Sequence, residues 1–292
     1  MGARTNYLRT FFVVSAVCAL FLSSCDALFT ENYFKKAGLG QIKASDLQGQ
    51  TSDQLAAQAY TTSGQPSKTF FDALTTDATA KQSVLDTLET TYNDPTATST
   101  DKQTAAALAT QVELNTTEAG AIVNNIAGLL SNTTALSGTP TASQQQALIS
   151  AIFPASLASD KTAFTAAVDA LQSLMPTAGG GPLDALATSI TNDGSTIEAG
   201  TAATLAQTAI IATVINSIDP AQVTDPATSQ PYTSTAELLY ALVTIPAGDP
   251  LAPTIGSSAI SNLDVTTLTS GNIGTLISAA GLTSTVNGLL GN

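Results

Sequence analysis

The chain has no histidine, no tryptophan and only two cysteines in 292 residues. Without histidine, the Ser-His-Asp and Cys-His arrangements and the common zinc sites are excluded. Cys18 lies inside an N-terminal apolar run and Cys25 just beyond it, so residues 26–292 hold no cysteine and their stability has to come from packing. Cations are scarce as well, with nine Lys and Arg against 22 Asp and Glu and a formal net charge of −13. Nucleic acid is therefore not an expected partner, because binding phosphate requires clustered Lys and Arg. Lys161 is the last basic residue of the chain, and the carboxylates beyond it are expected in solvent or at helix caps.

The N-terminus has three parts. Arg4 and Arg9 stand in a polar start, an apolar run follows from Phe11 to Leu22, and Ser23 and Ser24 lead to Cys25. That is the layout of an export signal. The run is shorter than the roughly 20 apolar residues a membrane span requires. Leu22-Ser23-Ser24-Cys25 resembles the lipobox of bacterial lipoproteins, and the resemblance covers residues 1–25 alone. It implies cleavage between Ser24 and Cys25, a diacylglyceryl group on the Cys25 sulfur and acylation of the new amino terminus. Membrane lipid is then a partner, and the protein lies on the extracytoplasmic side of the cell envelope. Two or three acyl chains make such an anchor effectively permanent, since each buried CH₂ contributes about 0.8 kcal/mol. Asp26 resembles an inner-membrane retention signal of some Gram-negative bacteria. With Arg4 and Arg9 removed, seven basic residues face 22 acidic ones, a formal charge of −15 on the mature chain.

Helical signals dominate the remainder. Thr51 with Gln54, Ser195 with Glu198 and Ser234 with Glu237 have the spacing of capping boxes. Phe164, Val168, Leu171 and Met175 fall on one helical face, which Pro176 and Gly179-Gly180-Gly181-Pro182 bring to an end. Alternating strand patterns are short and few. The expected class is all-α, many short helices in a degenerate helical-repeat or bundle arrangement, despite numerous Thr residues that favour strands individually. From Thr201 to Ile218, Leu205, Ile210, Ile211, Val214, Ile215 and Ile218 occupy more than one face, which predicts a central helix covered on several sides. After Asp264 the chain is uncharged, and Leu276, Ile277, Leu282, Val286, Leu289 and Leu290 are expected to dock on the body.

Internal similarity suggests the organisation. "FFDALTTDATAKQSVLDTL" from Phe70 aligns without a gap on "FPASLASDKTAFTAAVDAL" from Phe153, placing Phe70, Asp77, Asp86 and Leu88 on Phe153, Asp160, Asp169 and Leu171. "TTEAG" from Thr116 echoes "TIEAG" from Thr196, and the segment from Ile190 resembles that from Ile260. The expected division is a signal peptide over 1–24, a tether with N-terminal helices over 25–65, and an all-α domain over 66–292. That domain divides into three degenerate units, 66–135, 149–219 and 234–292. Such units cover one another's apolar faces.

Candidates for chemistry are few. Ser99-Thr100-Asp101-Lys102 has the S-x-x-K spacing, but the accompanying S-D-N and K-T-G elements are missing. Ser99 therefore reads as a helix cap. Gly38-x-Gly40 and Gly179–Gly181 lack what a phosphate loop requires and read as flexible loops. Asp77 with Asp86, and Asp219 with Asp225, read as caps or solvated turns; Asn192, Asp193 and Glu198 do not have calcium-loop spacing. Asn115 and Asn132 fit glycosylation sequons and read as turn residues. No catalytic residue, metal or cofactor is expected. The reading is a lipid-anchored structural or interaction protein of the bacterial envelope, its partner a protein or an apolar ligand. A carrier of a small apolar ligand and an acid–base hydrolase using Asp and Glu are the alternatives.

Overall fold

A computed structural model describes residues 42–61, 65–130, 152–176, 179–193, 199–246, 249–253, 270–281 and 283. These hold twelve α-helices: α1 (Ala44–Leu47), α2 (Ser52–Ala59), α3 (Lys68–Thr76), α4 (Ala78–Asn93), α5 (Ser99–Thr116), α6 (Ala119–Leu130), α7 (Ala155–Ala158), α8 (Lys161–Leu174), α9 (Pro182–Asp193), α10 (Ala199–Asn216), α11 (Thr235–Thr244) and α12 (Gly271–Ala279). Among the described residues extended pairing is limited to two isolated bridges, Tyr60 with Pro66 and Thr224 with Pro231. The fold is all-α.

The helices begin where side chains satisfy their first amides. Thr51 and Gln54 form the expected box, and Asp77 and Asp160 cap α4 and α8. At α11 the Ser234 hydroxyl accepts from the Glu237 amide, but the Glu237 carboxylate reaches back one residue further, to the Thr233 amide and hydroxyl. Ser195 and Glu198 lie outside the described residues. The threonines that argued for strands are accommodated by local bonding. Thr75, Thr87, Thr91, Thr110, Thr208 and Thr213 each donate the hydroxyl to the carbonyl one turn back.

Helix α5 is the hub of the fold, packing against α2, α3, α4, α6, α8 and α9. Ala105, Ala106 and Ala109 are buried on it together with Leu108, Val112 and Leu114, so small side chains let several helices approach its axis. The second centre is α10, which packs on α8, α12 and α6. Leu205, Ile210, Ile211 and Ile215 on it and Ile218 beyond it are buried, as the all-round apolar pattern requires. Helix α12 buries Ile273, Leu276 and Ile277 against α9 and α10. The uncharged end of the chain docks on the body as far as Ala279; Leu282, Val286, Leu289 and Leu290 lie outside the described residues.

The matched segments share the start of their second helix, whereas in their first halves Phe70 lies inside α3 and Phe153 just before the four-residue α7. Asp77 and Asp160 have the same backbone angles, φ −134° and ψ 97° against φ −131° and ψ 95°. Phe70 and Phe153 are buried, as are Leu88 and Leu171, and Asp86 and Asp169 are both exposed. The Thr116 and Thr196 motifs precede α6 and α10, whose first residues are Ala119 and Ala199. Packing partners differ, however. Helix α4 lies along its successor α5, whereas α8 packs mainly on α10 and α11, and its successor α9 packs on α5 and α4.

Candidate functional site

Cys25 and Ser24, the lipidation and cleavage positions read from the sequence, lie outside the described residues, as do Asn132, Gly38 and Gly40. Ser99 is placed, and the cap is one residue earlier than expected. Thr98 is the N-cap of α5: its hydroxyl accepts from the Asp101 amide at 3.2 Å, and the Asp101 carboxylate accepts from the Thr98 amide at 3.3 Å. Ser99 is the first helical residue, and its carbonyl accepts from the Ser189 hydroxyl at 3.4 Å. Asn115 lies in the last turn of α5 rather than in a turn between elements, where its amide nitrogen donates to the Gln111 carbonyl at 2.8 Å.

Among the described residues most carboxylates beyond Lys161 are exposed or serve caps and turns, in line with the expectation. Asp219 caps the 3₁₀ turn Pro220–Gln222, and Asp225 accepts from the Ala227 amide and the Thr228 hydroxyl. Asp184 is the exception. It is only 8% exposed, and one oxygen accepts from the Asn272 amide group at 2.8 Å, the other from the Gly181 amide at 3.3 Å. This bond to Gly181 caps α9, and the bond to Asn272 ties the start of α12 to it. Residue 181 has to be glycine, since a Cβ there would stand 2.5 Å from both the Leu174 carbonyl oxygen and Pro176 Cδ. Gly179 and Gly180 hold positive φ values of 78° and 93°, so the glycine run is a specified turn that brings α9 in close to the end of α8.

Asp184 sits in a cleft of about 350 Å³ between the end of α4, the first turn of α5, α9 and the start of α12. Tyr92, Asn93, Lys102, Thr188, Asn192 and Asn272 are prominent in its lining. Part of this wall is fixed by internal bonds: Asp184 by those above, and Ser189 by accepting from the Gln103 amide at 3.2 Å. Lys102 carries the one positive charge of the cleft and Asp184 the one negative charge. The ion pairs among the described residues are Lys68–Asp72, Lys81–Glu113 and Lys161–Glu237, and Lys102 belongs to none of them. Burial pushes the Tyr92 hydroxyl up to about 12, helped by the charges of Glu89 and Asp184, so it stays protonated at neutral pH.

The arrangement provides hydrogen bonds and balanced charge. It does not provide the pair of facing carboxylates that glycoside hydrolysis requires. No group of three or more potential metal-ligating side chains occurs among the described residues. Sequence reasoning isolated Lys102 and Asn192 for other reasons and passed over Tyr92, Asn93, Asp184, Thr188 and Asn272. One signal was available for Asp184, since a Gly followed three residues later by Asp, with Pro at the first helical position, marks a helix start. Comparison with family models, with curated proteins and with solved structures finds no match for this chain.

Proposed function

We propose that this is a lipid-anchored protein on the extracytoplasmic side of the bacterial envelope, held in the membrane through acylated Cys25, whose helical domain acts as a structural or binding component. The lipobox-like Leu22-Ser23-Ser24-Cys25, behind a basic start and a short apolar run, carries the reading. Two further points support it. Among the described residues no helix is long and apolar enough to cross a membrane, so an acyl anchor would supply an attachment those helices do not. Residues 26–41 join Cys25 to the first described residue, Ile42, and a chain of that length reaches at most about 60 Å. The domain could therefore work close to the bilayer surface or well away from it.

The domain's contribution is read as binding without catalysis. The cleft has amides, hydroxyls and one charge of each sign, with Asp184 as its single carboxylate. An apolar-ligand carrier calls for an apolar cavity and an acid–base hydrolase for two carboxylates, and this lining favours neither. Replacing Cys25 with Ala tests the anchor. The Cys25→Ala protein is expected to remain uncleaved at Ser24 and to take up no labelled fatty acid; label on that protein would refute the assignment.

A further inference from the structure

We infer that the cleft between α4, α5, α9 and α12 binds a neutral, hydroxyl-rich ligand, in chemical terms a saccharide unit. Its volume of about 350 Å³ lies at the small end of the usual range for ligand pockets. The lining falls into two sets. Asp184, Asn272 and Ser189 are held by bonds to one another's helices and to α5, and form a fixed floor. Asn93, Lys102, Thr188 and Asn192 make no side-chain hydrogen bond or ion pair with another described residue, Lys102 acting on Asp94 through its charge alone, yet they come from three different helices and line one concavity. Unengaged donors and acceptors on rigid elements around a preformed hollow are what a hydrogen-bonding ligand needs.

The chemistry of these groups selects the class. An anion would find one ammonium opposed by Asp184, inside a protein whose net charge is strongly negative. A metal ion would find one carboxylate whose two oxygens already accept from Asn272 and Gly181. An apolar ligand would strip water from an ammonium, two carboxamides and a hydroxyl and replace none of those bonds. Sugar hydroxyls both donate and accept. The carboxamides of Asn93 and Asn192 offer an acceptor beside two donors, Thr188 offers a hydroxyl, Lys102 offers three N–H groups, and the Tyr92 ring adds apolar surface. This inference rests on the cleft alone and stands or falls apart from the lipid anchor.

The test is calorimetric titration of the whole protein, extracted in a detergent without a sugar headgroup, with glucose, N-acetylglucosamine, maltose and cellobiose, and with inorganic phosphate alongside. At least one saccharide should bind saturably. Asn192→Ala and Lys102→Met should each weaken that binding about tenfold, as losing one ligand hydrogen bond does. Melting temperatures should be unchanged, because neither side chain bonds within the fold, and Lys68→Met on the remote helix α3 should leave binding unchanged. Failure of all four saccharides, binding that survives both cleft substitutions, or binding of phosphate in their place would overturn the proposal.

Discussion

Asn272→Ala probes the bond that joins the last described helix to the cleft floor. The Asn272 amide group donates to Asp184 at 2.8 Å, and Asp184 is only 8% exposed, so the substitution leaves a nearly buried carboxylate oxygen without that partner. Hydrogen bonds to charged groups contribute about 1.5 to 3 kcal/mol. Asn272 is half-buried and borders an open cleft, so water can replace part of what is lost, which puts the expected destabilisation near 1.5 kcal/mol. Asp184→Ala removes the same bond and the cap on Gly181 as well, adding about 1 kcal/mol. The two losses share one interaction, so the double variant should be less destabilised than their sum by about 1 to 2 kcal/mol. Urea unfolding followed by far-UV circular dichroism measures all three. Hydrogen exchange gives an independent reading, because residues 271–279 should lose protection in Asn272→Ala while α5 keeps its own. A coupling below about 0.5 kcal/mol, with exchange in α12 unchanged, would refute the clamp.

Phe164 is fully buried, stacks on Phe153 at 4.6 Å and meets Tyr240 edge-on at 5.3 Å, so Phe164→Ala should lose about 3 to 5 kcal/mol in urea unfolding. Phe164→Leu, which refills most of the space, should recover more than half of that loss. Gln207 is 3% exposed and its side-chain nitrogen finds no hydrogen-bond partner among the described residues, so Gln207→Met should be neutral or stabilising by about 1 kcal/mol; a marked loss would reveal a partner for that amide. The bonds from Thr233, together with Lys161, hold the Glu237 carboxyl below its ordinary value of 4.5. Its contribution is therefore present above that value and lost as pH falls through the lower, folded value. Glu237→Gln should destabilise the protein near neutral pH and reduce the acid dependence of its urea midpoint.

What the sequence announced was local. Asp77 and Asp160 cap helices because a side-chain acceptor placed before an apolar period satisfies the first amides, and that needs no knowledge of the rest of the chain. The slip at α5 has the same origin. Thr98 and Ser99 both carry a hydroxyl, but only Thr98 has an acid three residues on, at Asp101, so the reciprocal box forms one position before the S-x-x-K match. The cleft was not legible, because its residues run from Tyr92 to Asn272 and meet through the contacts of α9 with α4, α5 and α12. Asp184 illustrates the limit: its spacing from Gly181 is local, but its burial and its hold on Asn272 depend on where α12 docks.

The same distinction explains why segments with matching sequence and matching helix starts pack differently. On the gapless alignment Lys81 of α4 corresponds to Phe164 of α8. Lys81 reaches Glu113 of α5 at 2.7 Å, with the two side chains only 21% and 14% exposed, and so fixes the face that α4 turns to its successor. Phe164 carries no charge to place and joins Phe153 and Tyr240, which turns α8 toward α11. Helix α9 then packs on α5 and α4 and makes little contact with α8. Its residues Asp184, Thr188, Ser189 and Asn192 consequently face Tyr92 and Asn93 at the end of α4 and Lys102 in α5, all of them beyond the ends of the matched segments. Local signals common to both segments set the start of α4 and α8, and divergent positions, among them that of Lys81 and Phe164, cationic in the first and aromatic in the second, accompany their different partners. The cleft lies where α9 meets α4, α5 and α12, so its polar lining combines side chains from helices distant in sequence.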